Sequence, residues 1–239
     1  MADVHVTSDV WGEPTRTSLI LRAAGRVPDP DSERAWKDLI ERYRAPVERC
    51  LRRHLRNHPH AGEAAADFFA YIYEQRVMPK YDRGQARFRC YIQQVVRLYA
   101  KHWQRTAGRR DGDELEGLDV GSETPAEFEV EEEVAWAEAI LGEAVEKLRQ
   151  ARPRDAELML RAYGIPPHAE ASREDLCRET GMTANALNVA IHRARGALRE
   201  AILDQVRDLV SEESEFDEEK RCILQRLLES HPGMLGAGA

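Results

Sequence analysis

Hydrophobic and polar positions follow a helical period along nearly the whole chain. Apolar residues recur three and four positions apart, and no convincing run alternates with the period of two that a half-buried strand requires. We therefore predict an all-α protein. The first helix is predicted from residue 32 to the break at Asn57-His58-Pro59. Further helices are predicted over residues 62–76, 87–106, 127–150, 154–163, 172–180, 183–209 and 216–230.

Residues 108 to 125 are an exception, because they carry Gly, Asp, Glu, Ser and Pro without any period. This is the composition of a solvated linker. We therefore predict two helical domains joined by an acidic flexible linker. The predicted segments are an N-terminal segment (1–31), a helical domain (32–107), the linker (108–126), a second helical domain (127–210) and an acidic C-terminal extension (211–239).

Residues 172 to 199 have the spacing of a helix-turn-helix motif. Ser172 is predicted to cap the first helix, Gly181 to supply the turn, and Thr183 to cap the second helix. At about 100° per residue, one face of the second helix collects apolar side chains that must pack. These side chains are Leu187, Ile191, Ala194 and Leu198. A separate stripe carries Asn185, Asn188, His192, Arg195 and Arg199.

The charges of the chain are arranged in blocks, so its formal net charge of −8 conceals local excesses. Residues 83 to 110 hold eight Arg or Lys and no acid, whereas residues 111 to 133 hold eleven acids and no base. Residues 183 to 199 hold four basic side chains and no acid. Amides can read base edges and arginines can bind phosphates, so the second helix is predicted to face DNA. The alternative is a solvated helix of an αα-hairpin, with its arginines in water.

Several classes of protein do not fit this sequence. Its four cysteines lie far apart, as is typical of reduced thiols, and no secretion signal or stretch of eighteen apolar residues occurs. We expect a cytoplasmic protein without a membrane segment. Glycine-rich phosphate loops, paired catalytic carboxylates and nucleophile motifs are missing, so we expect neither an enzyme nor a cofactor.

One cluster has the residue types of a metal site. Cys50, His54 and His58 lie four residues apart, with His60 close behind, and could place ligands on one helical face. The surrounding sequence is basic and no second ligand cluster accompanies it. We therefore favour surface histidines and predict no metal.

The segment LCRETGMTANALNVAIHRARGALREAI (176–202) closely resembles region 4 of the extracytoplasmic-function (ECF) sigma factors. Independently, Phe68-Phe69 and DRGQARFRCYI (82–92) are similar to region 2 of the same family. TRTSLILRA (15–23) and the segment 202–228 resemble the opening and the C-terminal extension of a bacterial subgroup. These matches touch most of the chain outside residues 107–150. The chain departs from the family at residues 61–66, where AGEAAA stands in place of an acidic AEDLTQ run.

This resemblance implies a two-domain sigma factor without catalytic residues, which recruits core RNA polymerase to promoter DNA and assists strand separation. The helix 62–76 would dock on the largest polymerase subunit, through Glu63, Asp67, Phe68 and Tyr71. The −35 element would be read by Thr183, Asn185, Asn188, His192, Arg193, Arg195 and Arg199. The −10 element and melted strand would be held by Lys80, Tyr81, Arg83, Arg87, Arg89, Gln93, Arg97, Lys101 and Arg105. An anti-sigma factor is a further candidate partner.

Physical chemistry supports the role of the −10 residues, because aromatic faces and cationic grooves hold unstacked bases. Two other functions stay open. A stand-alone helix-turn-helix regulator would bind duplex DNA without polymerase, although it would not need the basic block 83–110. A sigma-like adaptor would bind polymerase without reading promoters.

Overall fold

The computed structural model describes residues 32–55, 61–82, 87–106, 130–210 and 213–235. These residues are mostly helical and contain no strand, which confirms the all-α prediction. A 3-10 turn, Met78–Lys80, lies between the second and third helices. The helices are α1 (Ser32–His54), α2 (Ala61–Glu74), α3 (Phe88–Thr106), α4 (Val130–Ala151), α5 (Pro153–Ala162), α6 (Arg173–Thr180), α7 (Ala184–Leu209), α8 (Glu213–Ser230) and α9 (Pro232–Leu235).

The chain forms two compact units. The first contains Met1–Glu129 with Asp208–Asp217, and the second contains Val130–Arg207 with Glu218–Ala239. The N-terminal segment 1–31 and the linker 108–126 lie outside the described residues. The five-segment division therefore stays a prediction.

An aromatic core holds α1, α2 and α3 together in the first unit. The Phe88 ring meets Tyr43 and Tyr81 edge to face, with centroids 5.1 Å apart in both pairs. Phe68 is fully buried and meets Tyr99 in the same way at 5.3 Å. Such pairs stabilise a core beyond the area that they bury. Phe68 and Phe69 are core residues of α2.

The end of α2 fixes the segment that leads towards α3. The Val77 amide donates to the Ile72 carbonyl (3.0 Å) and the Arg76 amide to the Tyr73 carbonyl (3.2 Å), which is a Schellman arrangement. Arg76 closes the turn with φ 49°, a left-handed conformation that costs a residue with a Cβ about 1 kcal/mol. The Tyr91 hydroxyl then donates to the Val77 carbonyl at 2.6 Å, so the segment is held against α3.

Helix α4 contributes buried side chains to the core of the second unit. Its Trp136 is fully buried, as is Met159 of α5. An ion pair joins α4 to α8, where Arg226 Nη2 lies 2.6 Å from Glu133 Oε2 and both side chains are largely shielded. In addition, the Gln205 side chain donates to the Ile140 carbonyl at 3.3 Å. Helices α4, α7 and α8 are thus linked by polar contacts as well as by the core.

The predicted caps of the helix-turn-helix are confirmed. Ser172 Oγ accepts the Asp175 amide at 3.1 Å, and Thr183 Oγ1 accepts the Ala186 amide at 3.2 Å. Gly181 lies between the helices with φ 68° and ψ 13°, which glycine adopts without steric cost. The local sequence therefore determines where α6 ends and α7 begins.

Candidate nucleic-acid interface

Helix α7 has a packed face and an exposed face. The four apolar residues predicted to pack are buried, none of them more than 2% exposed. The exposed face begins at the helix N-terminus and extends over four turns without an acidic residue up to Arg199. The exposed residues that the sequence predicted for DNA are Thr183, Asn185, Asn188, His192, Arg193 and Arg199.

Two amide side chains lie in the first turns of this face. Asn188 Oδ1 accepts a 3.4 Å hydrogen bond from Arg173 Nη1, so α6 contacts the predicted reading face. Arg173 was not among the predicted site residues, although its position at the first turn of a helix-turn-helix was a usable signal. In this motif the first helix commonly crosses the DNA backbone. Arg173 therefore joins the candidate interface.

Arg195 differs from the other predicted −35 residues, because it is half-buried and turns towards α9. Its Nε donates to the Met234 carbonyl at 2.9 Å. Its guanidinium carbon lies 5.9 Å from the centre of the Tyr163 ring, and that of Arg173 lies 5.6 Å from the same ring. Sequence reasoning missed Tyr163 and α9, which are distant from α7 along the chain.

Asp175 and Glu179 of α6 are paired with neighbouring bases. Arg178 Nη1 lies 2.7 Å from Asp175 Oδ1, and Arg161 Nη2 lies 2.6 Å from Glu179 Oε2. Hydrogen bonds from Ser172 and then from Arg178 lower the pKa of the Asp175 carboxyl below its ordinary value. These pairs reduce the local negative field beside the exposed face of α7.

The predicted −10 residues that precede α3 differ in how far they are exposed to solvent. Lys80 is exposed and Arg87 is half-buried, whereas Arg83 lies outside the described residues. Tyr81 is 5% exposed, and its ring packs against Phe88 and against Tyr91, the latter at 5.3 Å. The Tyr81 ring is thus part of the aromatic core in this conformation.

The predicted −10 residues along α3 are buried at the N-terminal end of this helix and exposed at its C-terminal end. Arg89 and Gln93 are 4% and 1% exposed, and Arg89 Nη1 donates to Gln93 Oε1 at 3.4 Å. Arg97 is half-buried, while Lys101 and Arg105 are exposed. The accessible positive charge therefore lies in the last turns of α3.

His102 stands within this emerging end of α3. Burial, and secondly the charge of Arg105, lower the pKa of the His102 imidazole below its ordinary value. The imidazole therefore favours its neutral form, and the positive charge of this surface comes from Lys101 and Arg105.

The predicted polymerase-binding residues also include both exposed and buried side chains. Glu63 and Asp67 are exposed on α2, whereas Phe68 and Tyr71 are buried. Burial, followed by the proximity of Asp67 and Tyr71, raises the pKa of the Tyr99 hydroxyl. Glu63 and Asp67 are the two predicted residues that a partner can reach on α2.

A groove beside this surface was not predicted. It encloses about 430 Å³ between α1 and α2, and Tyr73 on its wall is 63% exposed. Alanines at 65, 66 and 70 leave the groove open, and two of them belong to the segment that departs from the family pattern. Its lining is Trp36, Ile40, Arg44, Ala65, Ala66, Phe69, Ala70, Tyr73 and Glu74.

The described residues contain no group of three His, Cys, Asp or Glu side chains that could hold a metal ion. Cys50 is buried in α1, and His58 and His60 of the candidate cluster lie outside the described residues. Within the described ranges, every helix is too short or too polar to cross a membrane.

Comparisons of the chain with protein-family models, with curated proteins and with solved structures found no match.

Proposed function

We propose that this chain is an RNA polymerase sigma factor of the ECF type, which recruits core polymerase to promoter DNA in the cytoplasm. One observation carries the proposal. A helix-turn-helix with well-formed caps exposes an acid-free polar and basic face on α7, in a chain of formal charge −8. Such a face suits the phosphates and base edges of duplex DNA.

In this proposal α7 enters the major groove of the −35 element, which is wide enough for an α-helix. Asn185 and Asn188 lie near its N-terminal end, where recognition helices contact base edges. Arg193 and Arg199 lie further along and would bind phosphates. These roles assign sequence selection to the amides and most of the salt-dependent affinity to the arginines.

The −10 function is assigned to the exposed cations of the first unit. Lys80, Lys101 and Arg105 would bind the backbone of the melted strand. Arg89 and Gln93 are buried and bonded to each other, so we assign them a structural role within α3 and not a direct DNA contact. The proposed DNA charge contacts are therefore Lys80 in the 3-10 turn together with Lys101 and Arg105 in the last turns of α3.

Core polymerase would dock on the exposed face of α2. Glu63 and Asp67 supply its negative charge. The groove between α1 and α2 lies beside that face and would accept an apolar side chain of the polymerase. An enzymatic role is not part of this proposal.

Run-off transcription tests the proposal most directly. The chain is added to core RNA polymerase of its source organism with genomic fragments that include the region upstream of its own gene. Discrete transcripts that appear only with the chain support the proposal. A variant carrying Arg97→Ala and Lys101→Ala should lose initiation and still bind core polymerase, whereas Arg34→Ala, on an exposed part of α1, should initiate normally.

Two other outcomes would replace the proposal. A shift of duplex DNA by the chain alone, without any transcript, would indicate a stand-alone regulator. Binding to core polymerase without initiation on any fragment would indicate a sigma-like adaptor.

A further inference from the structure

The short helix α9 is packed against the helix-turn-helix of its own unit. Met234 and Leu235 are 1% and 7% exposed. A Cβ added at Gly233 would lie 3.3 Å from Cδ1 of Tyr163, so the α9 backbone approaches that ring closely. Arg195 of α7 donates to the Met234 carbonyl at 2.9 Å. Helix α9 is thus in direct contact with a basic side chain of the candidate DNA-binding helix.

Helix α8 holds α9 in this position. Ile223 and Leu227 of α8 are buried, and Arg226 is paired with Glu133 of α4. The His231 amide donates to the Leu227 carbonyl at 2.8 Å, which joins α9 to the end of α8. However, α9 itself is a single turn of four residues. Because an element of a single turn makes few hydrogen bonds of its own, α9 can open locally while α8 stays in place.

The position of Arg195 on α7 makes this contact relevant to DNA. Arg195 is seven residues after Asn188 and four before Arg199, so the three lie within about 40° of each other on the helix. A long arginine side chain at that position can reach the same ligand as its two neighbours. In the present conformation its Nε is bound to a neutral carbonyl. A phosphate is a stronger partner for a guanidinium, because both groups are charged.

We propose that α9 is an autoinhibitory latch, which holds Arg195 away from DNA through the Met234 carbonyl until α9 is displaced. This proposal rests on DNA binding by α7 as proposed above, and it adds a regulated contact to that surface. Release of the latch adds one cationic contact to the interface. Full affinity for a promoter then requires α9 to leave its site, by competition with DNA or with polymerase.

Fluorescence anisotropy with a labelled random-sequence duplex tests the latch. The full chain is compared with a chain that ends at Ser230, each with and without Arg195→Ala, over a series of salt concentrations. Removal of residues 231–239 should tighten binding on the order of tenfold, the gain for one charged hydrogen bond. It should also steepen the salt dependence by about 0.9 in log–log slope. Arg195→Ala should abolish both gains in the shortened chain.

A second measurement uses the intact chain, since the shortened chain exposes core that Met234 and Leu235 cover. In ¹⁵N–¹H spectra of the full chain, the Nε–H resonance of Arg195 should shift when duplex saturates the chain, because its hydrogen-bond acceptor changes from the Met234 carbonyl to a phosphate. The Gly233→Ala variant crowds Tyr163 and should bind duplex more tightly than the natural chain, by less than the shortened chain does. Thermal unfolding of each variant confirms that it is folded.

The contradicting outcomes are distinct. Equal affinities of the full and shortened chains for duplex, or a gain that persists with Arg195→Ala, would overturn the latch alone. An Arg195 Nε–H resonance that does not shift at saturating duplex would overturn it as well. If neither chain binds duplex, the proposed function of α7 is overturned, and the latch with it. Arg199→Ala is the control for binding through α7, and it should weaken duplex binding by both chains.

Discussion

Helices α3 and α7 both carry basic residues at helical spacing, but the two units bury them differently. On α3 the stripe starts with the buried pair Arg89 and Gln93 and reaches the surface only in its last turns. On α7 the stripe is exposed from its first residue to Arg199, and Arg195 alone among the predicted residues turns aside. Spacing thus defines a face, whereas packing decides how much of that face a ligand can reach.

The difference has a physical cause in the neighbouring side chains. The N-terminal end of α3 is enclosed by large rings, among them Tyr43, Tyr81 and Phe88. Polar groups buried there require hydrogen-bond partners, and Arg89 and Gln93 are partners for each other. Helix α7 packs on one side only, through residues such as Leu187 and Ala194, so its opposite side stays in water.

The largest expected effect is a loss of stability when a buried ring at the N-terminal end of α3 is removed. Phe88→Ala removes a ring that is 1% exposed and leaves a cavity between Tyr43 and Tyr81. We expect the free energy of unfolding to fall by about 3–5 kcal/mol. Val189→Ala, on the exposed face of α7, should change it by less than about 0.5 kcal/mol. Urea denaturation measures both values, and similar losses for the two variants would contradict the contrast between the helices.

A smaller expected effect is a difference in stability between variants of a buried arginine on α3 and an exposed arginine on α7. Arg89→Ala leaves Gln93 buried without its bonded neighbour, so we expect a loss of about 1–3 kcal/mol in unfolding free energy. Arg193→Ala removes an exposed side chain and should leave stability within about 0.5 kcal/mol while weakening duplex binding. Denaturation and anisotropy on the same samples measure the two properties. Equal stability of the two variants would show that burial does not distinguish these arginines.

The smallest effect concerns His102, where α3 emerges. Burial lowers the pKa of His102 in the folded chain below the ordinary value of 6.5, which the unfolded chain keeps. At a pH between the folded and the unfolded pKa, the unfolded chain therefore binds more protons than the folded chain. Stability therefore rises with pH through that window and is lost as the pH falls below 6.5. His102→Gln should show a shallower loss between about pH 7 and about pH 5. Urea titrations at several pH values test this, and identical slopes for the two chains would contradict it.

Much of the local structure could be predicted from the sequence. The helical period predicted the eight longer helices described here, with ends close to those observed. Ser172, Gly181 and Thr183 predicted the turn of the helix-turn-helix, since caps depend on residues within one or two turns. The packed and exposed sides of α7 followed from the same period. Each of these features is determined by neighbours along the chain, which a sequence displays directly.

Other features depend on residues that are distant along the chain. The burial of Tyr81, Arg89 and Gln93 results from the aromatic core that α1 and α3 build together. The contact between Arg195 and Met234 joins residues that are 39 positions apart. The groove beside Tyr73 exists only because α1 lies along α2. None of these contacts has a spacing that repeats in the sequence.

The sequence by itself therefore determined the helices, their caps and the sides on which charge accumulates, because hydrogen bonding and periodicity act over a few residues. Only the tertiary structure decided which charged side chains reach water. That choice depends on which apolar faces meet, and such contacts form between segments far apart in the chain. Arg195 illustrates this dependence, since its place on α7 follows from the helical repeat whereas its partner is the last helix described.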